Sequence, residues 1–227
     1  MTFAIILACT VAACFALRNP IKKWPMLFYA LAVIIDLVYV VGSFYELPRA
    51  VWIVLFTLIQ KCTLSLAIFI VVMYVGVFAK GSKPYMWLKG IRAELSIIAW
   101  ILSLGHMVVY LMSYVPRIFG GGIIKGNVMF AFVLAVVLFV LLIVLGVTSF
   151  NFVKKRMDND SWVKLQKLAY LFYALVYIHL LAMLLPAALH GGIQAGITTG
   201  VYSVVFIAYA VLRVYRALAD RRAGIAD

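Results

Sequence analysis

The stretch NVMFAFVLAVVLFVLLIVLGVTSFNF, residues 127–152, runs for 26 residues without a charged side chain. A hydrocarbon layer ~30 Å thick asks for about 20 apolar residues in a helix. The stretch is continuous rather than alternating, so it reads as a membrane-crossing helix and not as a barrel strand. Working outward from it, six further apolar runs cover 2–17, 26–45, 51–79, 93–115, 166–186 and 196–216. Hydrophobic residues make up 67% of the 227 and charged residues only 12%. A soluble domain of this length could not keep that much apolar surface from water. The expected fold is all-α: a polytopic transmembrane bundle of about seven helices, forming one domain over 1–227 without a linker. The run 51–79 exceeds what a bilayer needs, which predicts tilt or extension past the interface.

The formal net charge of +13 raises nucleic acid as a partner, but its distribution argues against that. Lys and Arg sit in short clusters between apolar runs. Arg18, Lys22, Lys23, Lys80, Lys83, Lys89, Arg92, Lys154, Lys155, Arg156, Lys164, Lys167, Arg213, Arg216, Arg221 and Arg222 occupy one set of alternate loops, sixteen in all. The opposite set holds only Arg49, Arg117 and Lys125. Basic residues mark the cytoplasmic side of a membrane protein. The N-terminus is therefore expected outside and the C-terminus in the cytoplasm, as an odd number of spans requires.

The three cysteines, Cys9, Cys14 and Cys62, lie in or beside apolar runs with no CxxC, so neither a thiolate metal site nor a disulfide framework is indicated. No positive charge precedes the first apolar run, and three basic residues follow it, so residues 2–17 read as a retained helix rather than a cleaved signal. No glycine-rich nucleotide fingerprint follows a strand, and Gly120-Gly121-Gly122 reads as an outer loop. The longest polar stretch, Lys154 to Lys164, is too short to fold alone.

Of the three histidines, His106 lies fourteen residues after Arg92 and His179 twelve after Lys167. Both runs travel outward from the cytoplasm, which places the two imidazoles ~21 Å and ~18 Å beyond their last cytoplasmic charges. They share a depth in the outer half of the membrane. That placement suits hydrogen bonding between helices, and equally suits axial ligation of a porphyrin held edge-on between helices four and six. Ionisable residues at this depth are rare and usually functional. His190, beside Gly191-Gly192, is expected at the interface, with a secondary role as ligand or proton carrier.

Two segments carry a family resemblance. One runs Gly90-Ile91-Arg92-Ala93-Glu94-Leu95 and on through Trp100 to Gly105-His106. The other runs Ser161-Trp162-Val163-Lys164-Leu165-Gln166-Lys167-Leu168-Ala169-Tyr170-Leu171 and on to Ile178-His179. Over roughly residues 88–185 the chain resembles the ferric-reductase-like transmembrane family. In that family the haem-bearing helices read as a basic residue, an apolar stretch and a histidine, then W-x-x-L-H-[RK]-L-x-Y-L with a histidine further on. Within the family it is similar to the small bacterial haem b subunits that feed electrons to periplasmic reductases, the methionine-sulfoxide reductase system among them.

The resemblance implies a prokaryotic inner membrane, an extracytoplasmic redox partner, and His106 and His179 as axial ligands of the haem iron. Two-haem relatives carry an inner ligand pair fourteen and thirteen residues earlier. Here those positions hold Arg92 and Gln166, both poor iron ligands, so one haem b is expected. Electrons would enter from membrane quinol, a bound flavin such as FMN, or a partner protein, and the residues suggest no site for any of these.

Asp36 and Lys61 each lie ten residues into antiparallel runs, so both fall near the midplane, where pairing would offset the cost of burying either alone. A cofactor-free transporter or assembly subunit, with this pair lining its path, is the alternative reading. Broken helices or inverted repeats would favour it, and the sequence displays neither. Arg92 and Glu94 suit a cytoplasmic helix start. Tyr85, Trp87, Tyr114 and Trp162 suit an aromatic belt, and Tyr110, one turn after His106, is placed to pack near a haem edge.

Overall fold

The computed structural model describes residues 2–123 and 125–223, and among them there are helices and no strand. The helices are α1 (Thr2–Ala16), α2 (Arg18–Lys23), α3 (Pro25–Gly42), α4 (Arg49–Leu55), α5 (Thr63–Tyr74), α6 (Lys83–Lys89), α7 (Arg92–Phe119), α8 (Gly126–Ser149), α9 (Asn151–Lys154), α10 (Asn159–Gln166), α11 (Leu168–Leu189) and α12 (Ile193–Arg222). Five segments are long and apolar enough to cross a membrane: α3, α7, α8, α12, and α10 with α11 taken together. A sixth is possible only if α4 and α5 are taken as one broken span. The run 2–17 gives a 15-residue helix, ~22 Å long at 1.5 Å per residue and shorter than the hydrocarbon layer.

The run 51–79 neither tilts as one rod nor simply overshoots. A π-turn at Phe56–Gln60 follows α4, then Lys61, and then Cys62 in the left-handed region at φ 53°. The two halves meet at 40°. Polar groups stabilise the break: the Thr63 hydroxyl donates to Thr57 O at 2.6 Å, and Gln60 O accepts from a histidine on α7. A left-handed conformation costs an L-residue about 1–2 kcal/mol. Cys62→Val should therefore be less stable than Cys62→Gly by about that amount, read as the separation of their thermal unfolding midpoints in detergent.

The segment α5 is the most enclosed part of the molecule, with Ser65, Ala67, Ile70, Val71 and Val72 all buried. Small residues permit its close packing: Ala67, and Ala99 on the neighbouring α7, are both 0% exposed. The Ser65 hydroxyl donates to Ala99 O at 2.6 Å. One apolar cluster joins α3, α5, α6 and α7 through Tyr39, Ile59, Val72, Ile91 and Leu95. A second joins α1, α5, α11 and α12 through Phe3, Ile70, Tyr173 and Phe206. The outward faces are apolar too, for example Leu27, Ile34 and Leu37 of α3 and Val133, Val136 and Val140 of α8. Such a surface suits lipid and not water.

At the helix ends the aromatic residues stack with cations. Arg18 lies 4.6 Å from the Trp87 ring, Lys154 4.0 Å from Trp162 and Lys89 5.2 Å from Tyr85. These are the amphipathic pairs an interface favours.

Candidate functional site

Helix α7 packs against α3, α5 and α8, while α11 packs against α8 and α12. α7 and α11 make little direct contact. They face each other with α8 on one side and α5 on the other, where Phe69 of α5 meets Phe172 of α11 edge-on at 5.5 Å. His106 projects from α7 and His179 from α11.

Each imidazole is oriented by a backbone carbonyl on a different element. His106 Nδ1 lies 2.6 Å from Gln60 O, at the helix break. His179 Nδ1 lies 3.0 Å from Ala131 O of α8. A carbonyl only accepts, so each Nδ1 carries the proton and each neutral ring presents a bare Nε2 lone pair. This carbonyl–imidazole arrangement is the outer-shell contact that fixes tautomer and orientation in metal-ligating histidines. The donor set therefore fits an axially ligated haem iron. Among the described residues no group of three or more His, Cys, Asp or Glu is placed to hold a bare metal ion.

Tyr110 packs on His106 with ring centroids 4.7 Å apart, and its side chain meets Gln60. Beyond it Tyr114 stacks at 6.0 Å, so the rings follow the C-terminal half of α7. His190 is exposed at the end of α11 and donates only to Pro186 O of its own helix, at 2.7 Å. It stands apart from the other two histidines.

Arg92 and Gln166, the positions where the resemblance puts an inner ligand pair, line one cavity with Ser96, Trp100, Phe172 and Tyr173. Its volume is about 60 Å³, enough for a few waters and far too small for a macrocycle. Gln166 Nε2 donates to the Thr148 hydroxyl at 2.9 Å, and Trp162 Nε1 donates to Thr148 O at 2.9 Å. The Trp162 and Gln166 signature thus fastens α10 to the C-terminal end of α8.

The expected Asp36–Lys61 pair does not form. Asp36 is 8% exposed and accepts from Gly105 N at 2.9 Å, and its other oxygen has no partner. Lys61 falls in the break, where the two halves meet at 40°, and is exposed with Nζ 5.0 Å from the Phe56 ring. Depth alone had placed the two side chains together, but the break turns Lys61 outward.

The chain is 37% identical over 224 residues to an uncharacterized protein of Treponema pallidum (strain Nichols), covering 97% of this chain. It spans 62% of that relative's length. No family model and no solved structure matches the chain.

Proposed function

We propose that this chain is a membrane haem b electron-transfer subunit that passes electrons to an extracytoplasmic acceptor or reductase. One observation carries the reading: two histidines on facing helices, each with Nδ1–H held by a carbonyl of another element and Nε2 left free to ligate. His106 and His179 would hold one haem b, which supplies reversible one-electron chemistry when bound. The protein's part is to fix the two rings, exclude water with apolar walls and leave the outer end of α7 toward an extracytoplasmic redox partner. Arg92 and Gln166 ligate nothing in this reading, and quinol, FMN or a partner protein remains as the donor.

The accompanying topology is that of a multi-pass prokaryotic inner-membrane protein. Its N-terminus lies outside and its C-terminus in the cytoplasm, with α1 counted as the seventh span. The test is direct. Purified protein should show a six-coordinate b-type spectrum that changes on dithionite reduction. A colourless protein, even after haem supplementation during expression, would sink the reading. The broken helix at Lys61–Cys62 favours a second reading in that event, the cofactor-free transporter or assembly subunit, because discontinuous spans line many transport sites.

A further inference from the structure

Asp36 lies within the apolar span of α3, against the helix break and α7, and is over nine-tenths buried. Its Oδ2 accepts the Gly105 N–H at 2.9 Å, immediately before His106 in the chain. Its Oδ1 has no partner. One turn further along α3, Tyr39 is 0% exposed. Gly105 suits this approach, since a Cβ there would stand 2.7 Å from Asp36 Oδ1. Among the described residues, the titratable groups beside the carboxylate are Tyr39 from α3 and Cys62 from the break, with Tyr110 of α7 beyond them, next to both. No lysine or arginine among the described residues pairs with it.

A buried carboxylate that only holds two helices together needs one acceptor atom, and a neutral amide would serve as well. Asp36 keeps a second oxygen free of any protein donor, in surroundings that disfavour an uncompensated charge. A negative charge arriving nearby would therefore draw a proton onto that oxygen.

We propose that Asp36 Oδ1 is a proton-binding site coupled to electron uptake at the His106–His179 centre, an inference that rests on the haem reading above. For each electron that a bound haem would take up, Oδ1 would bind one proton from water, converting carboxylate to carboxylic acid. It would release that proton when the electron was lost, so charge would balance in each direction. Asp36 does not ligate the iron. It reaches the centre through the Gly105 peptide, and its part is to hold the compensating proton.

The test is reduced-minus-oxidised infrared difference spectroscopy on full-length, haem-loaded protein, with the visible spectrum recorded in the same cell. On reduction the wild type should gain a carboxylic C=O band that shifts in D₂O, and Asp36→Asn should lack it. The wild-type reduced-to-oxidised ratio at fixed potential should change tenfold per pH unit over the coupled range, equivalent to 59 mV for one electron. That dependence should be flat in Asp36→Asn, which retains an acceptor for Gly105 N–H. Asp36→Glu should restore the slope and move the band, and it provides the comparison if the asparagine variant folds poorly. A haem-bearing protein whose band is static, or whose slope survives in Asp36→Asn, overturns this proposal alone. A protein without haem overturns the carrier reading and this proposal with it.

Discussion

His106→Ala and His179→Ala should each abolish the six-coordinate b-type spectrum, whereas His190→Ala should leave it unchanged. The contrast follows from position. His106 and His179 lie on α7 and α11 with Nδ1 held by Gln60 O and Ala131 O. His190 is exposed and bonded only within its own helix. Removing one axial ligand leaves the iron five-coordinate at best. The expected loss is of most of the bound haem, measured as the pyridine haemochrome yield per protein. Added imidazole should restore part of the six-coordinate spectrum in His106→Ala and His179→Ala. An unchanged spectrum in either variant would assign the ligand elsewhere, with His190 the first to examine. Equal loss in His190→Ala would point to general unfolding, which a thermal midpoint measured alongside would reveal.

The helices were legible because a membrane imposes a length and a polarity that any apolar run must meet. Residues 127–152 become α8 with little change at either end. The break at 60–62 was not legible in the same terms. It contains no Pro or Gly, and Cys62 takes a positive φ that its residue type does not announce. What stabilises it is tertiary: Gln60 O held by His106 and Thr63 held by Thr57 O. The available signal was the polar set Thr57, Gln60, Lys61 and Thr63 interrupting an otherwise apolar run.

Depth along a helix depends only on rise per residue and the last charge, so an expectation about the histidine pair could be framed from sequence. Partner choice at the midplane could not. Lys61 and Asp36 share a depth, but azimuth decides contact, and the break changes the azimuth of everything around Lys61. The partner of Asp36 is a backbone N–H, which leaves no signature in sequence apart from the glycine that makes room for it. The same limit applies to Arg92 and Gln166. The sequence showed two poor ligands where a second pair would stand, but only the packing of α5, α7, α8 and α11 shows how little space lies between them.

Gly146→Ala should destabilise the protein by about 3 kcal/mol, at the upper end of what overpacking a tight interface costs. A Cβ at Gly146 would lie 2.2 Å from both Trp100 Cδ1 and Nε1 and 2.6 Å from Cε2, so the whole indole must move. Trp100 has little freedom to do so. Its ring stands edge-on to Phe150 at 5.9 Å, and the backbone beside it is tied to α5 through Ser65 and Ala99 O. Displacing it would open the α7–α8 contact along one wall of the candidate haem site. The matched control is Gly196→Ala in α12, where no atom lies within 4 Å of the new methyl group. Replacing a helical glycine there should be neutral or stabilising by up to about 1 kcal/mol. Thermal unfolding of both variants in one detergent would separate the two effects. A Gly146→Ala midpoint at or above that of Gly196→Ala would mean that Trp100 is not seated against α8 as described.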